Sequence, residues 1–236
     1  MPESSNRTSP ARPGRLHMSG EPVGLGRFLF GDSRFFRRLI TLALPIASQN
    51  LAATLLNFVD TIMIGQLGEA SIAAVALGNQ MFFLMMLFLF GIGSGAAVFM
   101  AQYWGRRDIT GIRHALGLAL IGSLVGSLAF MAALQVFPVQ ILSVFTDDPA
   151  VINPARGYLS VVSLSYPATA LTMTFYSGLR STERVKLPLV ISLSAIVMNT
   201  VFNYLLIFGV GPFPELGVLG AAWSSLASRL AEATAV

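Results

Sequence analysis

The chain has 236 residues, 54% of them hydrophobic and only 11% charged, with a formal net charge of +4 and no cysteine. A soluble domain averages roughly 25% charged residues, so there are too few charges here to coat a water-facing surface, and a mean hydropathy of +0.70 agrees. The missing cysteines exclude a disulfide framework, a thiolate metal site and a cysteine nucleophile.

Residues 1–35 are rich in Pro, Ser, Gly and Arg without apolar periodicity, and are expected to form a disordered basic cytoplasmic tail. Their length and arginine content do not fit a simple cleaved signal peptide. Six apolar segments follow, at 36–64, 77–101, 112–137, 158–179, 187–208 and 217–236. Each reaches across about 30 Å of hydrocarbon at roughly 1.5 Å per residue. Their apolar residues run continuously instead of alternating, which predicts helices and not barrel strands. The expected fold is therefore an all-α integral membrane bundle of six transmembrane helices.

Thirteen of the fifteen basic residues fall on one side of this arrangement. Arg7, Arg12, Arg15, Arg27 and Arg34 lie in the tail and Arg37 and Arg38 directly after it; Arg106, Arg107 and Arg113 lie in the second loop, and Arg180, Arg184 and Lys186 in the fourth. The other side carries Glu69, Asp147, Asp148 and Glu215. The positive-inside rule then predicts a multi-pass protein of the plasma membrane with a cytoplasmic N-terminus. This placement also explains the basic balance without nucleic acid as a partner. The loop arginines read first as topology determinants, with gating or anionic-lipid contact as a second role.

The first segment is the least lipid-like. Asn50, Thr54, Asn57 and Thr61 fall on one helical stripe with Asp60 at its edge, so they are expected to line the bundle interior or a water-filled cavity. Pro45 removes a backbone hydrogen bond below that stripe and predicts a bend. Asp60 is the only acidic residue in the first five segments. An aspartate at a span's centre costs about 2.5–3.5 kcal/mol. Either Asp60 reaches headgroup water one turn away, or it sits inside and takes a proton or a bound cation. In the fifth segment, Asn199 and Asn203 share a face. Their amides can hydrogen-bond between helices, or complete the oxygen shell that a carboxylate begins around a hard cation such as Na+.

Small residues (Gly91, Gly93 and Gly95; Gly117, Gly122 and Gly126) read as close helix packing. The aromatic run 82–88 reads as packing or lipid-facing surface. His17 and His114 lie in the tail and a basic loop, which leaves no histidine metal cluster and no His-based triad. No phosphate loop is present, and no acid, base and nucleophile cluster within the spans. An enzyme is not expected, nor a cofactor beyond a coupling ion.

Leu44-Pro45, the run Asn57-Phe58-Val59-Asp60-Thr61-Ile62-Met63-Ile64-Gly65-Gln66-Leu67-Gly68, then Ala101-Gln102-Tyr103-Trp104-Gly105, Asn199-Thr200-Val201-Phe202-Asn203-Tyr204 and Pro214-Glu215-Leu216-Gly217 follow one another in order. In this the sequence resembles the multidrug and toxic compound extrusion (MATE) family, particularly its NorM-type bacterial branch, from about residue 36 to the end. The resemblance implies twelve helices in two lobes that alternate access by rocking, with amphipathic or cationic small molecules exported against inward Na+ or H+, in a bacterial inner membrane. It assigns Asp60 to the family's first-helix acid, Asn199 and Asn203 to its fifth-helix polar pair, Ser225 to a sixth-helix hydroxyl position, and Pro45 to first-helix bending. Residues 36–236 then correspond to the N-terminal lobe, with a shortened sixth helix and a C-terminal lobe missing as partner. A truncated product, an incomplete record, a dimerising half-transporter and a non-transporting remnant or subunit are the readings this leaves. A lipid-linked saccharide flippase of the same superfamily is the other alternative, but it should line its cavity with basic residues for pyrophosphate, and these spans carry almost none.

Overall fold

The computed structural model describes residues 33–236. The tail expected at 1–35 lies almost wholly outside the described residues, and Ser33 already belongs to a helix. Among the described residues the fold consists of eight α-helices and one 3-10 turn. They are α1 (Ser33–Gly65), α2 (Glu69–Gly105), α3 (Ile109–Val136), α4 (Pro138–Leu142), α5 (Pro149–Val162), the turn Ser163–Ser165, α6 (Tyr166–Ser181), α7 (Lys186–Phe208) and α8 (Val218–Ala235).

Local chemistry sets several of the boundaries. The Asp108 carboxylate accepts a hydrogen bond from the Gly111 N–H at 2.9 Å and starts α3. Asp148 does the same for the Ala150 N–H at 2.8 Å, with Pro149 at the first helical position of α5. α2 is longer than its expected apolar core of 77–101: at 37 residues and about 1.5 Å per residue, it exceeds a bilayer's hydrocarbon and carries its polar ends beyond it. α1 continues as helix through Pro45.

Among the described residues, four helices are long and apolar enough to cross a membrane: Leu39–Gly65, Glu69–Gly105, Ile109–Val136 and Lys186–Phe208. The other two expected spans differ from the sequence reading. The fourth starts earlier than residue 158 and is broken at Ser163–Ser165 into helices of 14 and 16 residues. Pro167, in the first turn of α6, lacks the N–H that would bond the Ser163 carbonyl in a continuous helix. The Gln135 side chain of α3 braces the break, donating to the Ser160 carbonyl at 2.7 Å and to Ser163 Oγ at 3.0 Å. The sixth, α8, has 18 residues and carries Ser224, Ser225, Ser228, Arg229 and Glu232, which make it too polar to read as a lipid span by hydropathy.

The core gathers Met85 and Leu89 of α2, Leu134 of α3, Tyr158 and Leu159 of α5, Tyr166 and Ala170 of α6, Ile207 of α7 and Ala222 of α8. α2 packs against α3, α5 and α6, while α7 and α8 lie along each other. Gly220 permits that last approach, because a Cβ there would stand 2.5 Å from the Leu206 carbonyl oxygen. Of the other small residues, Gly93, Gly122 and Gly126 meet Ser177, Ile92 and Phe88, as expected for packing, whereas Gly91, Gly95 and Gly117 face open space. The aromatic run divides. Phe83, Leu84, Leu87 and Phe88 are exposed, while Met85 is buried and the Phe82 ring packs on Tyr166 at 5.9 Å. From residue 41 onward α1 meets the other helices only at isolated points. Leu44, Leu51, Leu55 and Phe58 along it are exposed, while Ile64 enters the core.

Candidate functional site

Asp60 lies one turn before the end of α1, and Asn203 lies at the corresponding depth of α7. The Asn203 amide donates to the Asp60 carboxylate at 2.6 Å, and to Asn199 Oδ1, one turn away on the same helix face, at 3.2 Å. Asn203 is 1% exposed and Asn199 6%. Asp60 is half-buried, with its carboxylate turned to the bundle. The three side chains singled out in the sequence are therefore adjacent. Of the roles open to the asparagines, the interhelical hydrogen bond is made, from Asn203 to Asp60.

That bond leaves a remainder. Asn203 Oδ1 is buried without a hydrogen-bond partner. An orphaned buried acceptor costs about 1–3 kcal/mol, and it is the kind of oxygen that a cation or a proton donor satisfies. The Asn199 oxygen and the Asp60 carboxylate meet the nitrogen of the same amide, so three hard oxygen donors of the type that bind Na+ or share a proton belong to one cluster. No cluster of three His, Cys, Asp or Glu exists among the described residues. The set therefore suits a monovalent cation or a proton better than a multi-carboxylate divalent site.

Ser225 of α8 is half-buried and faces the Tyr158 phenol, which itself lies within electrostatic range of Asp60. Tyr158 packs over Gly78, where a Cβ would collide with the ring. Asn50, Thr54, Asn57 and Thr61 are exposed on α1, forming an open polar face. Thr54 and Thr61 tie back to the Asn50 and Asn57 carbonyls at 3.0 and 2.7 Å. The concavities beside Gln80 and Thr146, and beside Ser194 and Val197, are bordered by other residues.

Further polar contacts were not anticipated from the sequence. Arg180 of α6 donates to Gln49 Oε1 of α1 at 2.6 Å, and Gln49 is buried. Glu232 of α8, 3% exposed, accepts from the Tyr176 hydroxyl at 2.9 Å and pairs with Arg229 at 3.2 Å. The Arg229 guanidinium stands 5.5 Å over the Phe82 ring. An ionisable pair three residues apart in an apolar segment was the available signal for Arg229 and Glu232; nothing in the sequence marked Tyr176 as their partner.

Helices long and apolar enough to cross a membrane, gathered around a small polar interior, define a helical integral-membrane protein. A MatE family profile matches residues 45–205. The chain belongs to the MATE family. It is 34% identical to the multidrug resistance protein PmpM of Pseudomonas aeruginosa over 194 residues, covering 80% of this chain and 40% of that protein. It is 31% identical to a probable multidrug resistance protein NorM of Rhizobium meliloti, covering 83% and 42%. Its fold matches an outward-facing multidrug resistance MATE family transporter of the MOP superfamily with a TM-score of 0.77 at 22% identity, covering 88% of this chain and 45% of that one. A mutant of the Vibrio cholerae MATE transporter VcmN matches with a TM-score of 0.76 at 20% identity, covering 84% and 44%. The chain thus spans somewhat under half the length of the relatives it matches.

Proposed function

We propose that this chain is the N-terminal lobe of a cation-coupled multidrug efflux antiporter, acting by alternating access together with a second lobe. The basic loops favour an N-terminus on the cytoplasmic side of a bacterial inner membrane, and the chain crosses it six times, with α5 and α6 together forming the fourth crossing and α8 the sixth. The substrates are amphipathic or cationic organic molecules, and the coupling ion is Na+ or H+.

The observation that carries this reading is the contact between Asp60 and Asn203, with Asn203 Oδ1 left unpartnered. With Asp60 bare, the Asn203 amide donates to it. Half a turn of that amide exchanges its nitrogen for its oxygen. The site then offers the Asp60 carboxylate and two amide oxygens, from Asn199 and Asn203, to a sodium ion, or acceptors to a protonated Asp60. Either event breaks the donor contact between α1 and α7, with Ser225 close by on α8. Occupancy moves the conformational balance only through its differential affinity for the two states. A bend of α1 at Pro45 is the proposed second state, and the open face of Asn50, Thr54, Asn57 and Thr61 is the wall it presents to substrate.

The test is resistance. An efflux-deficient bacterium producing this lobe within a two-lobe transporter should withstand cationic dyes. Asp60→Asn should abolish that resistance at an unchanged membrane level, and resistance surviving the substitution would remove Asp60 from the mechanism.

A further inference from the structure

One guanidinium, on α8, pairs with one carboxylate and lies within electrostatic range of a second. The guanidinium is that of Arg229, and the carboxylates are those of Glu232, at 3.2 Å, and Asp60. Glu232 is nearly inaccessible at 3% exposure and is fixed from a second side by the Tyr176 hydroxyl at 2.9 Å. Arg229 is 35% exposed and rests over the Phe82 ring, so its head is held less tightly than that of its partner. The other guanidinium in this region, Arg180, donates to Gln49 instead. The remaining titratable groups facing Arg229 are Tyr158 of α5 and Tyr176 of α6.

We infer that Arg229 is a built-in counter-ion that competes with a sodium ion for Asp60, and that Glu232, held by Tyr176, is the seat that keeps Arg229 away. The inference rests on the reading of Asp60 as the cation site and adds a positioning pair to it. The reasoning is charge balance. Two carboxylates and one guanidinium leave one negative charge, and an ionised group inside a span needs a partner. While Arg229 neutralises Glu232, Asp60 is the group left over, and a monovalent cation completes the balance. If Arg229 turned to Asp60, the sodium ion would have to displace it. The Arg229–Glu232 pair therefore sets the affinity of a site that neither residue lines.

The test uses the purified chain in lipid nanodiscs with radioactive sodium as the probe. Arg229→Gln removes the competitor and should tighten sodium binding by about tenfold, the scale of one unit charge at short range near a protein surface. Glu232→Gln releases Arg229 to Asp60 and should weaken binding by about the same factor. The double variant should behave like Arg229→Gln alone, because Glu232 acts only through Arg229. Since the two single variants move in opposite directions, either decides the matter should the other not fold. A merely structural pair would move both the same way or neither. Asp60→Asn separates the two levels: if it leaves sodium binding intact, the Asp60 reading itself is wrong. If it abolishes binding while the Arg229 and Glu232 variants stay at wild-type affinity, only the counter-ion role is overturned. A wild-type chain that binds no sodium overturns the competition as stated and leaves Asp60 as a proton site.

Discussion

At the scale of single residues, the interior owes its order to a few charge-assisted hydrogen bonds. The Tyr176 hydroxyl donating to Glu232 is buried and made between helices, so its loss is not compensated by solvent. Hydrogen bonds to charged groups contribute about 1.5–3 kcal/mol in soluble proteins, while interhelical pairs in membranes average about 0.6 kcal/mol. Tyr176→Phe should therefore lower stability by about 1 kcal/mol, read as the thermal unfolding midpoint in detergent. A loss too small to detect would mean that Arg229 alone holds Glu232. Asn203→Leu removes both donor and orphaned acceptor. It should abolish cation binding while changing stability little, since the unpartnered oxygen disappears with the bond; unchanged binding would exclude the amide from the site.

At the scale of helices, packing and polar clasps divide the labour. The α7–α8 pair depends on Gly220. Gly220→Val forces atoms against the Leu206 carbonyl and should cost about 1–3 kcal/mol, as overpacking does. Gly91→Ala faces open space and should fall within about 0.5 kcal/mol. Equal effects at the two positions, measured by the same unfolding midpoint, would refute the close approach as the cause. α1 depends on Gln49. Gln49→Leu takes away the acceptor of the Arg180 guanidinium, so amide hydrogen exchange along residues 41–65 should quicken while that of α7 stays unchanged.

Legibility in the sequence followed the same division. The long apolar helices could be read because length and continuity alone mark them. The fourth segment reads as one continuous helix because hydropathy averages over the 3-10 turn at Ser163–Ser165, with Pro167 directly after it. Asp60 and the asparagines stood out because a polar residue in a span is rare. Their mutual contact could not be read from the chain, since 143 residues separate Asp60 from Asn203. Nothing in the sequence singled out Tyr158 or Tyr176. Only the fold brings one beside Ser225 and the other onto Glu232.

At the scale of the whole molecule, the proposed orientation rests on the distribution of charge, and the lack of cysteine makes it measurable. Arg107 and Asp147 lie in exposed segments that topology assigns to opposite faces. On intact cells, a membrane-impermeant maleimide should label Asp147→Cys and leave Arg107→Cys unlabelled until the membrane is permeabilised, with no background from native thiols. The reverse pattern would invert the topology.

α1 is fastened to the bundle by side chains at two heights, Gln49 with Arg180 and Asp60 with Asn203, with Ile64 packed into the core beyond the second, and between them it presents an exposed face. The two fastenings are eleven residues apart, which along a helix is about 16 Å. A rod pinned at two points is rigid, but pinned at one it is a lever. Unfastening the Asp60 end leaves Gln49 as a fulcrum one turn from Pro45, so a sub-ångström event at a carboxylate can become a swing at the far end of the arm. Such a swing would disturb little of the packing between α2, α5, α6 and α8, because α1 gives that core only its last turn, at Ile64.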